Sequence, residues 1–448
     1  MQRAFTSLQR AYAGAHFGKS LYWYATEMVF AYFLAEQYGF SPALMGGLLL
    51  LFLFWDALTD PLIAMAAGGK NASTRRLLRL QLAGALLSGA SFCLIFFRPP
   101  FEGGALIAYA IVAGLLFRSA YTVLDVPQNT LLVRLGGDTK GVKLLASMRM
   151  VCSALAHLAV AGATALAVTG TAGKPDHQLF LLFAFLVAVI GIASAAMLAR
   201  AGGAIGGEPA EGDRRTAFSG DTRAMRVALA RLGPLVPLLG AMFLVSLGWP
   251  AFGKLIPYYA DYALDRPGFA GTLIAGVALA SLAVQPGWAA IMRRLDWHQC
   301  YLAAFSVIAA GAGLFAMAGA GSAIGGTLAV LVLAAGASMY TALLWAHLAS
   351  TLTTPRMAGV DDLLAFGALT LTAKCSLGLG GLVVAGVLEA AGYEQGASMD
   401  PASRQLLVAL MGASAAGGTL LSMAIVLAGS ASSGRKEPQG SVRPYAAD

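Results

Sequence analysis
The chain has 448 residues, 58% hydrophobic and only 12% charged, with a formal net charge of +8 and a mean hydropathy of +0.72. Soluble domains carry about 25% charged residues, so this composition excludes a soluble enzyme or binding module and points to a polytopic membrane protein. The basic excess would also suit nucleic acid, but its placement along the chain follows membrane topology, and no nucleic-acid partner is expected.

Apolar runs near the ~20 residues of a spanning helix recur along the whole length. They are too long for barrel strands and do not alternate, so helices are the only spanning structure that fits. About twelve spans are predicted, near 12–34, 42–67, 77–97, 104–133, 144–169, 178–200, 229–260, 268–292, 299–319, 323–352, 363–391 and 402–428. Basic residues crowd one set of gaps, with Arg75, Arg76, Arg79, Arg214, Arg215, Arg293, Arg294, Arg435 and Lys436 among them. The alternate gaps hold only Arg98, Lys174, Arg266 and Arg404. This asymmetry places both termini in the cytoplasm of a multi-pass protein of the cell (inner) membrane, with lipid as its surroundings. The start, "MQRAFTSLQRAYAGAHFGKS", shows no A-x-A-like cleavage site.

The polar interval 201–228, "AGGAIGGEPAEGDRRTAFSGDTRAMRVA", divides the spans six and six. The expected organisation is an N-terminal six-helix bundle (1–200), a cytoplasmic central loop (201–228), a C-terminal six-helix bundle (229–428) and a disordered tail (429–448). Gly378, Gly381 and Gly386 in "SLGLGGLVVAG" read as positions where helix backbones approach closely. Cys93, Cys152, Cys300 and Cys375 have no metal-site spacing and read as packed thiols.

In the first span, "AGAHFGKS" (Ala13–Ser20) imitates a phosphate loop, but no strand precedes it and no second nucleotide motif follows. No nucleophile, metal or nucleotide constellation passes its context test, so no enzyme and no cofactor are expected. The charges inside the spans carry the argument instead: Glu27, Asp56, Asp60 and Asp125, with Lys19, Arg118, Arg149, Lys254 and Lys374. A charge at mid-membrane costs roughly 2.5–3.5 kcal/mol on insertion scales, so each must face the bundle interior or a wet cavity. Pairing that merely holds helices together would also meet that need.

In the second span, "FWDALTDP" sets Asp56 and Asp60 on one helix face, with Thr59 on a neighbouring line. Two carboxylates so close need something positive between them. A small hard cation suits carboxylate and hydroxyl oxygens, and a proton is the alternative. The fourth span, "RSAYTVLDVPQNTLL", lines Arg118, Tyr121, Thr122 and Asp125 along one polar stripe, and Pro127 loosens the ladder beside it. Arg149 enters the fifth span in "LLASMRMV", and Lys374 stands in the eleventh with no carboxylate on its own helix.

"FWDALTDP", "YTVLDVPQNTLL", "LLASMRMV" and "LTAKCSLGLGGLVVAGVLEAAGY" resemble, in the right order over about residues 10 to 395, the glycoside–pentoside–hexuronide:cation symporters. That family is a branch of the major facilitator superfamily; it includes melibiose permease and sodium-dependent lysophospholipid carriers. The resemblance implies a cation site at Asp56, Thr59, Asp60 and Thr122, with Na⁺ at the acidic pair or H⁺ as the coupling ion. It implies substrate contacts at Tyr121, Asp125, Arg149 and Lys374; Lys19, Ser20, Arg118, Asn129 and Thr370 are further candidate substrate contacts in the same spans. It also implies alternating access between the two bundles. Departures stand beside these matches. Ser20 replaces an expected sugar-binding aspartate, Asn129 replaces a stacking aromatic, and Arg118 stands where melibiose permease has a small residue.

The expected protein is therefore all-α, with twelve transmembrane helices in two six-helix bundles of the major facilitator fold. It would work as a monomer, moving a small organic solute by Na⁺- or H⁺-coupled symport. One carboxylate lost and one guanidinium gained shift the pocket positive, which suits an anionic solute such as a uronide. Pairing of Arg118 with Glu27 or Asp125, away from the solute, is the competing assignment. An amphiphile carrier of the same family, and a membrane sensor or enzyme on a transporter scaffold, are the other readings.

Overall fold
The computed structural model describes residues 6–66, 73–136, 139–169, 177–202, 232–266, 268–292, 294–352 and 362–434. The helices in chain order are α1 (Ser7–Met28), α2 (Phe30–Glu36), α3 (Pro42–Ala66), α4 (Thr74–Ile95), α5 (Gly103–Gly136), α6 (Thr139–Thr169) and α7 (His177–Ala201). They continue as α8 (Val236–Tyr258), α9 (Phe269–Ala283), α10 (Gln285–Met292), α11 (Trp297–Ala318), α12 (Ala323–Leu352), α13 (Asp362–Ala390) and α14 (Pro401–Gly434). Among the described residues ten stretches are long and apolar enough to cross a membrane, and Val151–Thr164 of α6 is a shorter apolar stretch. The expected first span falls outside that set because α1 carries Arg10, Lys19 and Glu27 among its tyrosines and small polar residues.

The expected first span is two helices with a break at Val29 (φ −117°). Thr26 prepares the break, since its hydroxyl donates to the carbonyls of Tyr22 and Trp23 at 2.9 Å each. Residues 13–20 lie wholly inside α1, so the phosphate-loop look-alike is a helix turn and not a loop. Apart from Ala201 and Gly202, the central polar interval lies outside the described residues. At the other end α14 runs six residues past the expected end of the last span, to Gly434, where alanines and serines continue the helix.

Helices α1 to α7 pack mainly among themselves, as do α8 to α14, and the two groups meet chiefly through α3 against α13 and α6 against α9. The α3–α13 seam is a small-residue seam. A Cβ on Gly378 would lie 2.4 Å from the Leu53 Cβ, and one on Gly381 would lie 2.8 Å from that of Leu49. Gly386, expected to serve the same way, meets nothing within 4 Å.

The end of the molecule remote from Thr6 is closed by polar contacts between the two groups. Glu36 Oε1 accepts from the hydroxyls of Tyr262 at 2.7 Å and Tyr393 at 2.6 Å. Tyr32 donates to Asp261 at 2.9 Å, and Tyr258 donates to the Ala31 carbonyl at 3.2 Å. A π turn over Tyr259–Ala263 presents Asp261 and Tyr262 to this contact. Burial pushes the Glu36 carboxyl above its ordinary range against the two tyrosine hydroxyls, and Asp261 adds to the rise. Opening would return Glu36 to water and its ordinary pKa. The contribution to closure is therefore complete below that ordinary value and lost as pH rises through the raised one. Spin labels on Ser41→Cys and Ala402→Cys should show the close-approach population shrinking with rising pH in that window. The shift should shrink in Glu36→Gln and vanish in Glu36→Gln/Asp261→Asn, because the Asp261 carboxyl is a second titratable group at the same contact.

Candidate functional site
Between the two groups lies one connected cluster of charges. Asp56 and Asp60 project from α3, Arg118, Thr122 and Asp125 from α5, Lys19 and Glu27 from α1, Lys254 from α8 and Lys374 from α13. The Thr122 hydroxyl donates to Asp60 Oδ1 at 3.0 Å. Lys374 Nζ is 2.5 Å from Asp60 Oδ2 and 3.9 Å from Asp125 Oδ2. Arg118 reaches Asp56 at 3.1 Å and Glu27 at 3.8 Å, and Lys254 closes on Glu27 at 2.5 Å. Thr59, grouped with the cation ligands from sequence, donates its hydroxyl to the Trp55 carbonyl at 3.0 Å.

The expected substrate residues form a second arm. Lys19, 6% exposed, lies 2.5 Å from Asp125 Oδ1 and 3.2 Å from Asn129 Oδ1. Asn129 donates to Asp125 at 2.9 Å, and Arg149 donates to Asn129 at 2.9 Å. Asn129 thus relays between the arginine of α6 and the carboxylate of α5. Ser20 Oγ is 3.2 Å from Ser153 Oγ, and His16 Nε2 is 3.0 Å from the same oxygen. Tyr121 stacks on Trp23 at 6.3 Å between ring centroids. Thr370 lies on α13, and its side chain is outside the described residues.

Arg118 lies on Asp56 of the acidic pair and near Glu27; of the pairings expected from sequence, the one with Glu27 is present and the second partner is Asp56 rather than Asp125. His16 and Ser153 were not singled out from sequence. Their signal is the four-residue spacing of His16 with Ser20 on α1 and of Arg149 with Ser153 on α6, which puts two polar lines face to face. Glu27 and Lys254 were counted as buried charges without a site role, because their pairing across 227 residues of sequence leaves no local trace.

Trp23, Glu27, Asp56, Arg118, Lys254 and Lys374 line a cavity of about 20 Å³, room for roughly one water-sized particle. A sugar-sized solute needs the cavity to widen. Among the described residues of the cluster, Lys19, Arg118, Lys254 and Lys374 pair with Glu27, Asp56, Asp60 and Asp125, four cations against four carboxylates. Arg149 stands at the exposed edge of the cluster on Asn129 and adds one formal positive charge there.

Helices enclosing a paired-charge cavity between two groups that meet along two seams make a polytopic fold of the major facilitator type. The family model described as "MFS/sugar transport protein" matches residues 11–428, and the chain belongs to that family. YagG of Escherichia coli (strain K12), named as a glycoside/cation symporter, is 32% identical over 156 residues, 35% of this chain and 34% of YagG. YnaJ of Bacillus subtilis (strain 168), an uncharacterized symporter, is 27% identical over 150 residues, 34% of this chain and 32% of YnaJ. The match thus spans about a third of the length of each of these relatives. Among solved structures, one reported under substrate recognition in proton dependent oligopeptide transporters superposes with a TM-score of 0.65. It is 13% identical, over 95% of this chain and 99% of that one. Tetrameric PepTSo2 gives 0.63 at 15% identity, over 94% of this chain and 98% of that one. At such identities the likeness is one of fold.

Proposed function
We propose that the chain is a secondary active transporter that takes up a small organic anion, a uronide or other acidic sugar derivative, together with a coupling cation. The two bundles, 1–200 and 229–428, would alternate access around the charged cluster, joined by the loop 201–228. Both termini would lie in the cytoplasm, so the closed end described above is the outer end.

One observation carries this reading. Lys374 of the second group stands between Asp60, on the cation arm, and Asp125, on the solute arm. An incoming anion competes with both carboxylates for that ammonium. When Lys374 turns to the solute, Asp60 keeps the Thr122 hydroxyl and loses its counter-charge. Two unit charges 4 Å apart interact by about 4 kcal/mol at an effective dielectric of 20, so a bare Asp60 strongly favours taking up a cation. Anion and cation then raise each other's affinity by the same factor.

The amphiphile reading finds no comparable support. The apolar groove lined by Phe17, Leu21, Val160, Phe183 and Leu186 includes no member of the charged cluster. The test is uptake into proteoliposomes of radiolabelled glucose, methyl glucoside, glucuronate and glucose 6-phosphate, under imposed Na⁺ or H⁺ gradients. Accumulation of an acidic solute above equilibrium is expected under at least one gradient. Absence of accumulation of every solute under both gradients would contradict the proposal.

A further inference from the structure
The acidic pair already holds a cation of the protein's own. Arg118 Nη1 sits 3.1 Å from Asp56 Oδ2, with its Nη2 3.8 Å from Glu27 Oε1. The guanidinium side chain is 13% exposed and that of Asp56 is 17%, so water does little to replace either partner. Guanidinium is always charged and presents several fixed donors, so it cannot leave the site by losing a proton. It also shares the small cavity with Lys254 and Lys374. An alkali ion placed between Asp56 and Asp60 would meet Arg118 on one carboxylate and Lys374 on the other. It would gain oxygens only by displacing both.

We propose that Arg118 is a tethered cation standing in the coupling ion's place at Asp56, so that this chain is coupled to protons and indifferent to sodium. This rests on the symport reading above. Asp56 then stays paired with Arg118 throughout the cycle, and Asp60 alone is vacated when Lys374 turns to the anionic solute. The proton comes from water on the outer side and adds to a carboxylate oxygen of Asp60. It returns to water on the inner side when the solute leaves and Lys374 closes back on Asp60. One proton and one negative charge move together, and no metal ion has to be dehydrated.

The test uses sodium itself, so no solute need be known; Lys374→Ala leaves Asp60 without its ammonium partner, as the solute would. Equilibrium binding of ²²Na⁺ is measured on purified Lys374→Ala, Lys374→Ala/Arg118→Gly and Lys374→Ala/Arg118→Gln, each checked for folding by gel filtration and helical circular dichroism. Lys374→Ala, with Arg118 intact, should retain background counts up to tens of millimolar sodium. At least one folded double variant should gain saturable binding near one ion per chain, and Asp60→Asn added to that variant should remove it. Saturable Asp60-dependent binding by Lys374→Ala with Arg118 intact would overturn the proposal, as would folded double variants with no gain. The symport reading fails on a different result, the absence of accumulation under either gradient. Sodium-driven uptake by wild type would leave symport standing and sink this inference alone.

Discussion

Lys374→Ala is expected to lower solute accumulation by at least about 100-fold while the purified protein keeps its fold. Removing one partner of a buried ion pair costs about 3–5 kcal/mol when water is excluded. Here both side chains are about a quarter exposed, at 25% and 24%, so the stability loss should be smaller, near 1–2 kcal/mol after solvent screening. The effect on transport is larger because Lys374 is, among the described residues, the cation that contacts both Asp60 and Asp125. Without it the anion loses a direct partner, and its arrival no longer changes the charge on Asp60. The double variant Lys374→Ala/Asp60→Asn removes the unpaired carboxylate. It should recover thermal stability without recovering accumulation. That split separates a coupling role from a merely structural one. Thermal melting monitored by light scattering, run beside uptake, reads both.

Gly84→Val should be the most damaging single packing change. A Cβ at Gly84 would lie 2.4 Å from the Leu124 backbone nitrogen and 2.6 Å from the Val123 carbonyl carbon. The obstacle is the α5 main chain, which a rotamer change cannot clear. Overpacking in a close-packed core typically costs about 1–3 kcal/mol and sometimes more, and a backbone clash belongs at or above the upper end. The displaced segment runs directly into Asp125, so the α5 face bearing Thr122 and Asp125 would shift with it. Gly47 has nothing within 4 Å, and Gly47→Ala should change stability by about 0.5 kcal/mol or less, as unencumbered surface changes do. Size-exclusion profiles after heating should show early loss of the monodisperse peak for Gly84→Val and a wild-type profile for Gly47→Ala.

Much of the fold was legible because lipid narrows the choice of structure. Apolar runs in a bilayer have to be helices, and the spans read from hydropathy match the long helices closely. Hydropathy was weakest at α1, where Arg10, Lys19 and Glu27 interrupt the apolar run. Lys19 and Glu27 belong to the charged cluster, so in this helix the feature that hides the span also marks its role. The break at Val29 was not visible, because it depends on a local choice by the Thr26 hydroxyl.

The site was legible in its members and not in its pairings. Charge in a greasy helix identified Asp56, Asp60, Arg118, Asp125 and Lys374, and the Thr122–Asp60 contact is as the motif suggests. The partners are set by packing between helices. Asp60 meets Lys374 across 314 residues of sequence and Glu27 meets Lys254 across 227, and no local spacing encodes such contacts. The largest revision concerns the acidic pair. Read alone, two carboxylates four residues apart call for an outside cation. In the folded chain each already has a basic partner, Arg118 for Asp56 and Lys374 for Asp60. The question becomes which pair opens, and the one that also reaches Asp125 is Asp60–Lys374.

Accumulation of an acidic solute in proteoliposomes, wild type beside Asp60→Asn, tests that central claim most directly. In the wild type an imposed cation gradient should concentrate the solute above equilibrium. Asp60→Asn should abolish concentration and keep gradient-free exchange of solute across the membrane. Undiminished gradient-driven accumulation by Asp60→Asn would contradict the account.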